Sequence, residues 1–256
     1  MNAANNVLIV TGAARGIGRA IAEKHLEGGW NVAVLDINEA AMHEWAAGNG
    51  NILPVVCDVT SRPAVEAARY LTLETFGKID AVVNNSGWWS AERIPLEDFP
   101  EDYWRKIMEI NVNGTFIVTQ VMGKAMIQAG RGGAFVNLAS IASFGPIPGS
   151  GGYCPSKAAV AMLTKQTAME WGKYGIRANA LCPGQIVTEM TRHRFADPSV
   201  AAARTAVIPL GRLGVARDIA NACYFLTSNE SGYISGETIL VDGGMTVNTY
   251  DAVGKS

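Results

Sequence analysis

The 256-residue sequence lacks the features of a membrane protein or a nucleic-acid-binding protein. Its longest apolar runs have the length of a strand, well short of the roughly 20 residues of a membrane span. Residues 1–5 carry no charged signal-peptide start. A formal net charge of −2 gives no basic field for nucleic acid or a membrane surface. We therefore expect neither partner, and we expect a cytoplasmic location.

Cysteine and histidine are scarce and scattered. The four cysteines form no C-x-x-C pair, which favours reduced, mostly buried thiols over disulfides. The three histidines have no cysteine or carboxylate at metal-ligand spacing, so we expect no catalytic metal. What the chain does have is 28 glycines and 48% hydrophobic residues, enough for many tight turns and a large core.

Two reactive side chains, Tyr153 and Lys157, stand four residues apart on one face of a predicted helix. A phenol has a pKa of about 10, and a nearby ammonium is expected to lower that pKa toward neutrality. Ser140 follows the apolar run 133–139, so it is predicted at the carboxyl end of a strand, where open α/β sheets bind ligands. Taken alone, the Tyr–Lys pair could also be a solvated helix face.

A glycine-rich turn near the N-terminus favours the catalytic interpretation. The apolar run 6–10 is followed by Gly12, Gly16 and Gly18 and then by a helical pattern. A strand, a glycine turn and a helix N-terminus together receive a dinucleotide pyrophosphate on backbone N–H groups. The spacing Gly-x-x-x-Gly-x-Gly departs from the usual Gly-x-Gly-x-x-Gly, so the prediction rests on this context.

Asp36 predicts which dinucleotide binds. It ends the second predicted strand, where a carboxylate can accept hydrogen bonds from ribose hydroxyls and repel a 2′-phosphate. NAD is therefore favoured over NADP. Arg15 could instead pair with that phosphate, or cover the adenine. Asp36 could also cap the helix that follows it.

The alternation of apolar runs and helical patterns predicts an α/β fold. We expect a single doubly wound Rossmann-type domain over residues 1–256, with a seven-stranded parallel sheet and helices on both faces. Strands are predicted near 6–11, 31–36, 52–57, 79–84, 133–139, 177–182 and 238–242. Helices are predicted near 16–28, 38–47, 61–76, 101–129, 154–173 and 215–227.

From Val7 to Gly244 the motifs and their order resemble the short-chain dehydrogenase/reductase family. The departures are mild, with Ser86 in place of the usual alanine and Cys154-Pro155 inside the Tyr-x-x-x-Lys motif. The resemblance implies four catalytic residues: Asn111, Ser140, Tyr153 and Lys157. It implies cofactor contacts at Gly12, Arg15, Gly16, Ile17, Gly18, Asp36, Ile37, Asp58, Val59, Asn84, Asn85, Gly87, Tyr153, Lys157, Pro183, Gly184, Ile186 and Thr188.

In that family's mechanism Tyr153 would exchange the proton and Ser140 would orient the substrate oxygen. Lys157 would hold the nicotinamide ribose, and Asn111 would anchor a water. Substrate contacts are expected at Ser140, Trp88, Ile141, Gln185 and Met190, under a lid near 185–214. One of the adjacent Trp88 and Trp89 is expected at the surface. The lid segment 191–194 either attracts an anion or is a solvated loop.

The predicted function is that of an NAD(H)-dependent oxidoreductase interconverting a small-molecule secondary alcohol and a ketone. The resemblance implies a homotetramer, built through helices 101–129 and 154–173 and a second contact around 240–244. One alternative is an NADPH-dependent 3-oxoacyl carrier-protein reductase, with Arg131 and Lys173 as a basic landing patch. The other is a non-catalytic NAD-binding protein, which would not need the intact catalytic set.

Overall fold

Seven parallel strands form the centre of the molecule in the computed structural model, which describes residues 5–189 and 191–248. The strands within these described residues are β1 (Val7–Thr11), β2 (Asn31–Asp36), β3 (Ile52–Val56), β4 (Ala81–Asn84), β5 (Gly133–Leu138), β6 (Ile176–Pro183), β7 (Ile186–Val187), β8 (Gly214–Val215) and β9 (Thr238–Val241). The large sheet has the order β3-β2-β1-β4-β5-β6-β9. The predicted fold class is confirmed, and every predicted strand is present within two residues of its expected ends.

Helices cover both faces of this sheet. They are α1 (Gly16–Glu27), α2 (Glu39–Ala46), α3 (Arg62–Phe76), α4 (Glu101–Met108), α5 (Thr115–Ala129), α6 (Tyr153–Trp171), α7 (Pro198–Ala206) and α8 (Ala216–Thr227). Successive side chains of β1 point to opposite faces. Leu8 and Val10 therefore pack with α1 and α8, whereas Ile9 packs with α3 and α5. Burial on both faces explains why the strand is an unbroken apolar run.

The predicted helix 101–129 is not uniform. The range is helical throughout, as predicted, but a π-helical turn, Glu109–Gly114, separates α4 from α5. Single π-helical turns inside helices often occur at functional sites. This one carries Asn111, and its last residue, Gly114, packs so tightly that an added Cβ would lie 2.7 Å from Cγ2 of Val59.

The segment predicted as a lid, near 185–214, lies outside the seven-stranded sheet. Its two ends are joined by the short parallel pair of β7 and β8, and the Gly214 N–H donates to the Gln185 carbonyl at 2.9 Å. Between them α7 begins at Pro198, capped by the Asp197 carboxylate. The sequence patterns did not predict α7, β7 or β8.

Two further expectations concern membrane spans and cysteines. Over residues 5–189 and 191–248, no helix is long and apolar enough to cross a membrane. All four cysteines are free thiols; Cys57, Cys182 and Cys223 are buried, and Cys154 is half-buried. The expectation of mostly buried, unpaired thiols is confirmed.

Candidate active site

A cleft of about 1030 Å³ opens at the carboxyl ends of the sheet strands. One end is lined by Asp36 and Ile37, and the other by Arg194 and Arg204, while Ser140, Tyr153 and Lys157 lie along it. The strand order reverses between β1 and β4, and ligands of open α/β sheets bind at such a switch point.

The first end of the cleft, which we call the cofactor end, is formed by the glycine turn after β1. Gly12 and Gly16 have φ angles of 63° and 62°, which L side chains rarely adopt. Gly18 lets α1 approach the turn, because an added Cβ would lie 2.4 Å from the Gly12 carbonyl oxygen. Among the described residues, no side chain caps α1 at Arg15, and Gly16 and Ile17 line the cleft. Their backbone N–H groups fit a pyrophosphate.

Hydrogen bonds of Asn85 and Thr11 connect the end of β4 to this turn. The Asn85 side-chain amide donates to the carbonyls of Thr11 and Gly12, each at 2.9 Å. The Thr11 hydroxyl accepts the N–H groups of Asn85 and Ser86, each at 3.0 Å. Thr11 was not among the predicted site residues, although its place as the last residue of β1 was a usable signal.

Asp36 is held by two backbone amides. One carboxylate oxygen accepts the Ala14 N–H and the other the Asn38 N–H, each at 3.0 Å. Helix α2 is capped by Asn38, whose side chain accepts the Ala41 N–H at 3.2 Å, so the interpretation of Asp36 as the helix cap is wrong. Each carboxylate oxygen has a second lone pair available for a ligand in the cleft.

The proposed catalytic side chains meet in the middle of the cleft. Ser140 follows β5, Tyr153 begins α6, and Lys157 lies one turn further along α6. The Lys157 Nζ donates to the Leu138 carbonyl at 2.7 Å and lies 5.8 Å from the centroid of the Tyr153 ring. The predicted helical spacing therefore places the phenol and the ammonium in the same pocket.

Burial governs how these groups titrate. It raises the pKa of the Tyr153 phenol above its ordinary value, although the Ser140 hydroxyl and the Arg194 charge act in the opposite direction. Burial also lowers the pKa of Lys157 to about 8. The expected net lowering of the phenol pKa is therefore not found in the protein alone, because removing the phenolate from water is the larger effect.

Asn111 is fully buried beside the turn that follows β4. Its side-chain amide donates to the Trp88 carbonyl and the Ser156 hydroxyl, each at 3.0 Å, and its oxygen accepts the Trp88 N–H at 2.7 Å. A Cβ added to Gly87 would lie 3.4 Å from that oxygen and 3.5 Å from the Lys157 Nζ. Asn111 therefore positions the turn that carries Trp88 and Trp89. Its role in anchoring a water stays a prediction.

Most predicted cofactor contacts line the cleft: Gly12, Arg15, Gly16, Ile17, Asp36, Ile37, Asp58, Val59, Asn85, Gly87, Tyr153, Lys157, Pro183, Gly184, Ile186 and Thr188. Two do not. Gly18 lies beneath the turn, where it sets the helix packing described above. Asn84 lies in the core, where its amide donates to the Thr119 hydroxyl at 3.0 Å and to the Asn137 side chain at 2.8 Å. The contact of Asn84 with the cofactor therefore stays a prediction.

The other end of the cleft, which we call the substrate end, is made of side chains from separate loops. Trp88 and Trp89 are both half-buried and both line the cleft, so the expectation that one lies at the surface is wrong. Ile141 and Gln185 also line it, as predicted, whereas Met190 lies outside the described residues. Trp89 and the lid residues Arg194 and Arg204 also line the cleft, in the segments where the substrate pocket was expected. Arg93 lines it as well but was not assigned to the site, because no sequence pattern connects it with the lid.

Comparison with known proteins agrees with this geometry. A family model described as enoyl-(acyl carrier protein) reductase matches residues 12–246. An NAD-dependent glycerol dehydrogenase of Listeria innocua is 38% identical, covering 96% of each chain. A 2-(R)-hydroxypropyl-CoM dehydrogenase of Xanthobacter autotrophicus is also 38% identical, covering 94% of this chain and 99% of the relative. The solved structure of a levodione reductase is 33% identical with a TM-score of 0.87, covering 95% of this chain and 98% of that one.

The fold and the site define an oxidoreductase that binds a nicotinamide cofactor at the end of a parallel sheet. The chain belongs to the short-chain dehydrogenase/reductase family.

Proposed function

We propose that the protein interconverts a secondary alcohol and a ketone with NAD(H), within a single catalytic domain spanning residues 1–256 and a substrate lid near 185–214. The observation that carries the proposal is the meeting of Ser140, Tyr153 and Lys157 in one cleft with the Asp36 carboxylate at its far end. Relatives whose names specify alcohol dehydrogenases, including a D-threitol dehydrogenase of Mycolicibacterium smegmatis at 37% identity, support it.

In the oxidation direction the hydroxyl proton of the substrate passes to the Tyr153 phenolate as the carbonyl forms. A nicotinamide held in the cleft would supply the acceptor for the carbinol hydride. The Ser140 hydroxyl holds the substrate oxygen, and Lys157 supplies positive charge beside the phenol. In reduction the neutral phenol returns the proton. A raised phenol pKa therefore favours reduction at neutral pH and oxidation as the pH rises.

NAD is the proposed cofactor because of Asp36. Its carboxylate is fixed at the tip of β2 by two amides and faces the cleft with Ile37, which is 73% exposed. A 2′-phosphate placed there would meet a fixed negative charge, whereas ribose hydroxyls could donate to it. Arg15, which also lines the cleft, is a cation that could offset this repulsion.

The alternatives are less well supported. Arg131 and Lys173, the landing patch expected of a carrier-protein reductase, are exposed but do not line the cleft. That reading also needs NADPH, which Asp36 disfavours. A non-catalytic NAD-binding protein would need neither the Tyr153 phenol nor the Ser140 hydroxyl in the pocket.

The test is a screen of secondary alcohols and ketones against NAD, NADP and their reduced forms, following the absorbance of the reduced nicotinamide. We expect turnover with at least one alcohol, with a higher kcat/KM for NAD than for NADP. A higher kcat/KM for NADP would overturn the cofactor assignment. Binding of NAD without turnover of any substrate would favour the non-catalytic alternative.

We also propose a homotetramer. Phe116 on α5 and Met162 and Met169 on α6 are exposed, and Met169 is 75% exposed. Of the other apolar residues on these helices, Val118, Met122 and Val160 are buried in the core and are not available for an interface. Sedimentation velocity should give the mass of four chains. A monomer at micromolar concentration would contradict the proposal.

A cytoplasmic location belongs to the same proposal. It rests on the four unpaired cysteines, which suit a reducing compartment. Cell fractionation with an antibody to the native protein should recover it with cytoplasmic markers, and recovery in another fraction would contradict this assignment.

A further inference from the structure

Three arginines from two separate segments line the substrate end of the cleft. Arg93 lies in the loop after β4, whereas Arg194 and Arg204 both lie in the lid, Arg204 on α7. Arg194 is half-buried, and its guanidinium carbon lies 5.2 Å from the centroid of the Trp89 ring. The Trp89 ring in turn lies 6.3 Å from the Tyr153 ring. The cations therefore lie close to the proposed reaction centre.

These arginines differ from four others in the chain. Arg19, Arg105, Arg212 and Arg217 each form an ion pair with a carboxylate. Over the described ranges 5–189 and 191–248, Arg93, Arg194 and Arg204 form no ion pair. Glu189 also lines the cleft but pairs with none of the three.

The positive charges of Arg93 and Arg204 repel that of Arg194. Burial lowers the pKa of Arg194, and the charges of Arg93 and Arg204 lower it further. Like charges gathered at one wall without a carboxylate between them would be relieved by an anion. Guanidinium groups are well suited to this, since they bind carboxylate and phosphate oxygens through paired N–H donors.

We propose that the substrate carries an anionic oxygen group, a carboxylate, sulfonate or phosphate, and that Arg194 binds it with help from Arg93 and Arg204. This inference rests on the proposed function, because it places the anion on the same molecule as the reacting alcohol or ketone. Arg194 acts as a specificity-determining residue, and Trp89 holds its guanidinium beside the pocket by a cation–π contact.

The test uses matched pairs of secondary alcohols that share a carbinol and differ in charge. 3-Hydroxybutyrate is compared with its methyl ester, and 3-hydroxybutyl phosphate and 3-hydroxybutane-1-sulfonate are each compared with an uncharged alcohol of similar length. The readout is the ratio of kcat/KM for the anionic alcohol to kcat/KM for the neutral one. It is measured for the parent, Arg194→Gln and Arg194→Lys. Arg192→Gln is the control, since Arg192 lies in the same lid segment but does not line the cleft.

We expect a ratio of at least roughly tenfold in the parent for one pair, falling by about tenfold in Arg194→Gln, as for loss of a charged hydrogen bond. Arg194→Lys should restore part of the ratio, and Arg192→Gln should leave it unchanged. If Arg194→Gln does not fold, Arg93→Gln should lower the ratio in its place. The pair with the highest ratio identifies which anion is bound.

A ratio near one for all three pairs in the parent, or a ratio unaffected by Arg194→Gln, would overturn the inference. Either result leaves the proposed function standing if the neutral alcohols are oxidised. If neither member of any pair is oxidised and the wider screen also fails, the proposed function itself is contradicted.

Discussion

The two ends of the cleft are built in different ways. At the cofactor end, backbone amides and a strand-tip carboxylate are fixed by the parallel sheet, and Asn85 locks β4 to the glycine turn. At the substrate end, Trp89 and Arg93 lie in the loop after β4, whereas Arg194 lies in the lid, far along the chain. In the proposed function the first end binds the dinucleotide, and Asp36 at this end favours NAD over NADP. The second end is where one substrate can be distinguished from another.

The catalytic groups stand between the two ends. Tyr153→Phe keeps the ring against Trp89 but removes the proton-transferring oxygen. We expect kcat to fall by about a thousandfold, within the range of general acid–base catalysis, while NAD affinity is retained. Turnover assays measure the fall in kcat, and calorimetric titration with NAD measures the retained affinity. Activity within tenfold of the parent would remove Tyr153 from the mechanism.

Gly18→Ala tests whether the cofactor end depends on close backbone packing. The new Cβ would lie 2.4 Å from the Gly12 carbonyl oxygen and 2.5 Å from the Asn85 side-chain amide, so the glycine turn must shift. We expect a destabilisation of about 1–3 kcal/mol and a loss of NAD affinity. Urea unfolding and NAD titration measure these effects.

Gly50→Ala is the matched control, because an added Cβ at Gly50 meets no atom within 4 Å. Equal stability and NAD affinity in the two variants would mean that the close approach of α1 to the turn is not needed.

Asp36→Ala tests the charge at the cofactor end. Losing a charged hydrogen bond is worth about 1.5–3 kcal/mol, so NAD affinity should fall by roughly tenfold or more and the preference over NADP should narrow. Asp36→Ala should also raise the NADP affinity, and adding Arg15→Ala to that variant should reverse this gain. Asp36→Asn separates charge from shape, and the exposed Glu39→Ala is the control. An unchanged preference in Asp36→Ala would show that another residue selects the cofactor.

The pH dependence of NAD binding gives the smallest expected effect. The lowered pKa of Lys157, about 8, means that its ammonium is complete well below pH 8 and is lost above it. If the ammonium holds the ribose, NAD affinity should fall severalfold as the pH rises through 8. Titrations at several pH values should show this in the parent and a flat profile in Lys157→Met. A fall of equal size in the variant would assign it to another group.

The same contrast explains how far the sequence could predict the molecule. The glycine turn, Asp36, Ser140 and the Tyr153–Lys157 pair are short-range patterns whose geometry follows from a strand end or a helical spacing. Arg93 shares no local pattern with Arg194, and only the packing of the loop after β4 against the lid brings the two together. The pKa of Tyr153 was mispredicted for a related reason, since burial depends on the whole fold and not on Lys157 alone.

Asn84 and Asn111 illustrate a second limit. Both stand within recognisable motifs, yet the Asn84 amide is used in the core and the Asn111 side chain holds the backbone of Trp88. A motif predicts which residue type stands at a position, whereas the partners of a buried amide depend on neighbouring elements. The π-helical turn at Asn111 was not predicted either, because its tight approach to Val59 is a tertiary contact.

The central claim is direct hydride transfer from the carbinol carbon of the substrate to the nicotinamide. Isotope transfer tests this claim most directly. The best alcohol from the screen is prepared with deuterium on the carbinol carbon and incubated with NAD, and the reduced cofactor is analysed by mass spectrometry. We predict one deuterium per reduced nicotinamide in the parent and no labelled cofactor with Tyr153→Phe. Ketone formation without deuterium in the reduced nicotinamide would contradict direct hydride transfer.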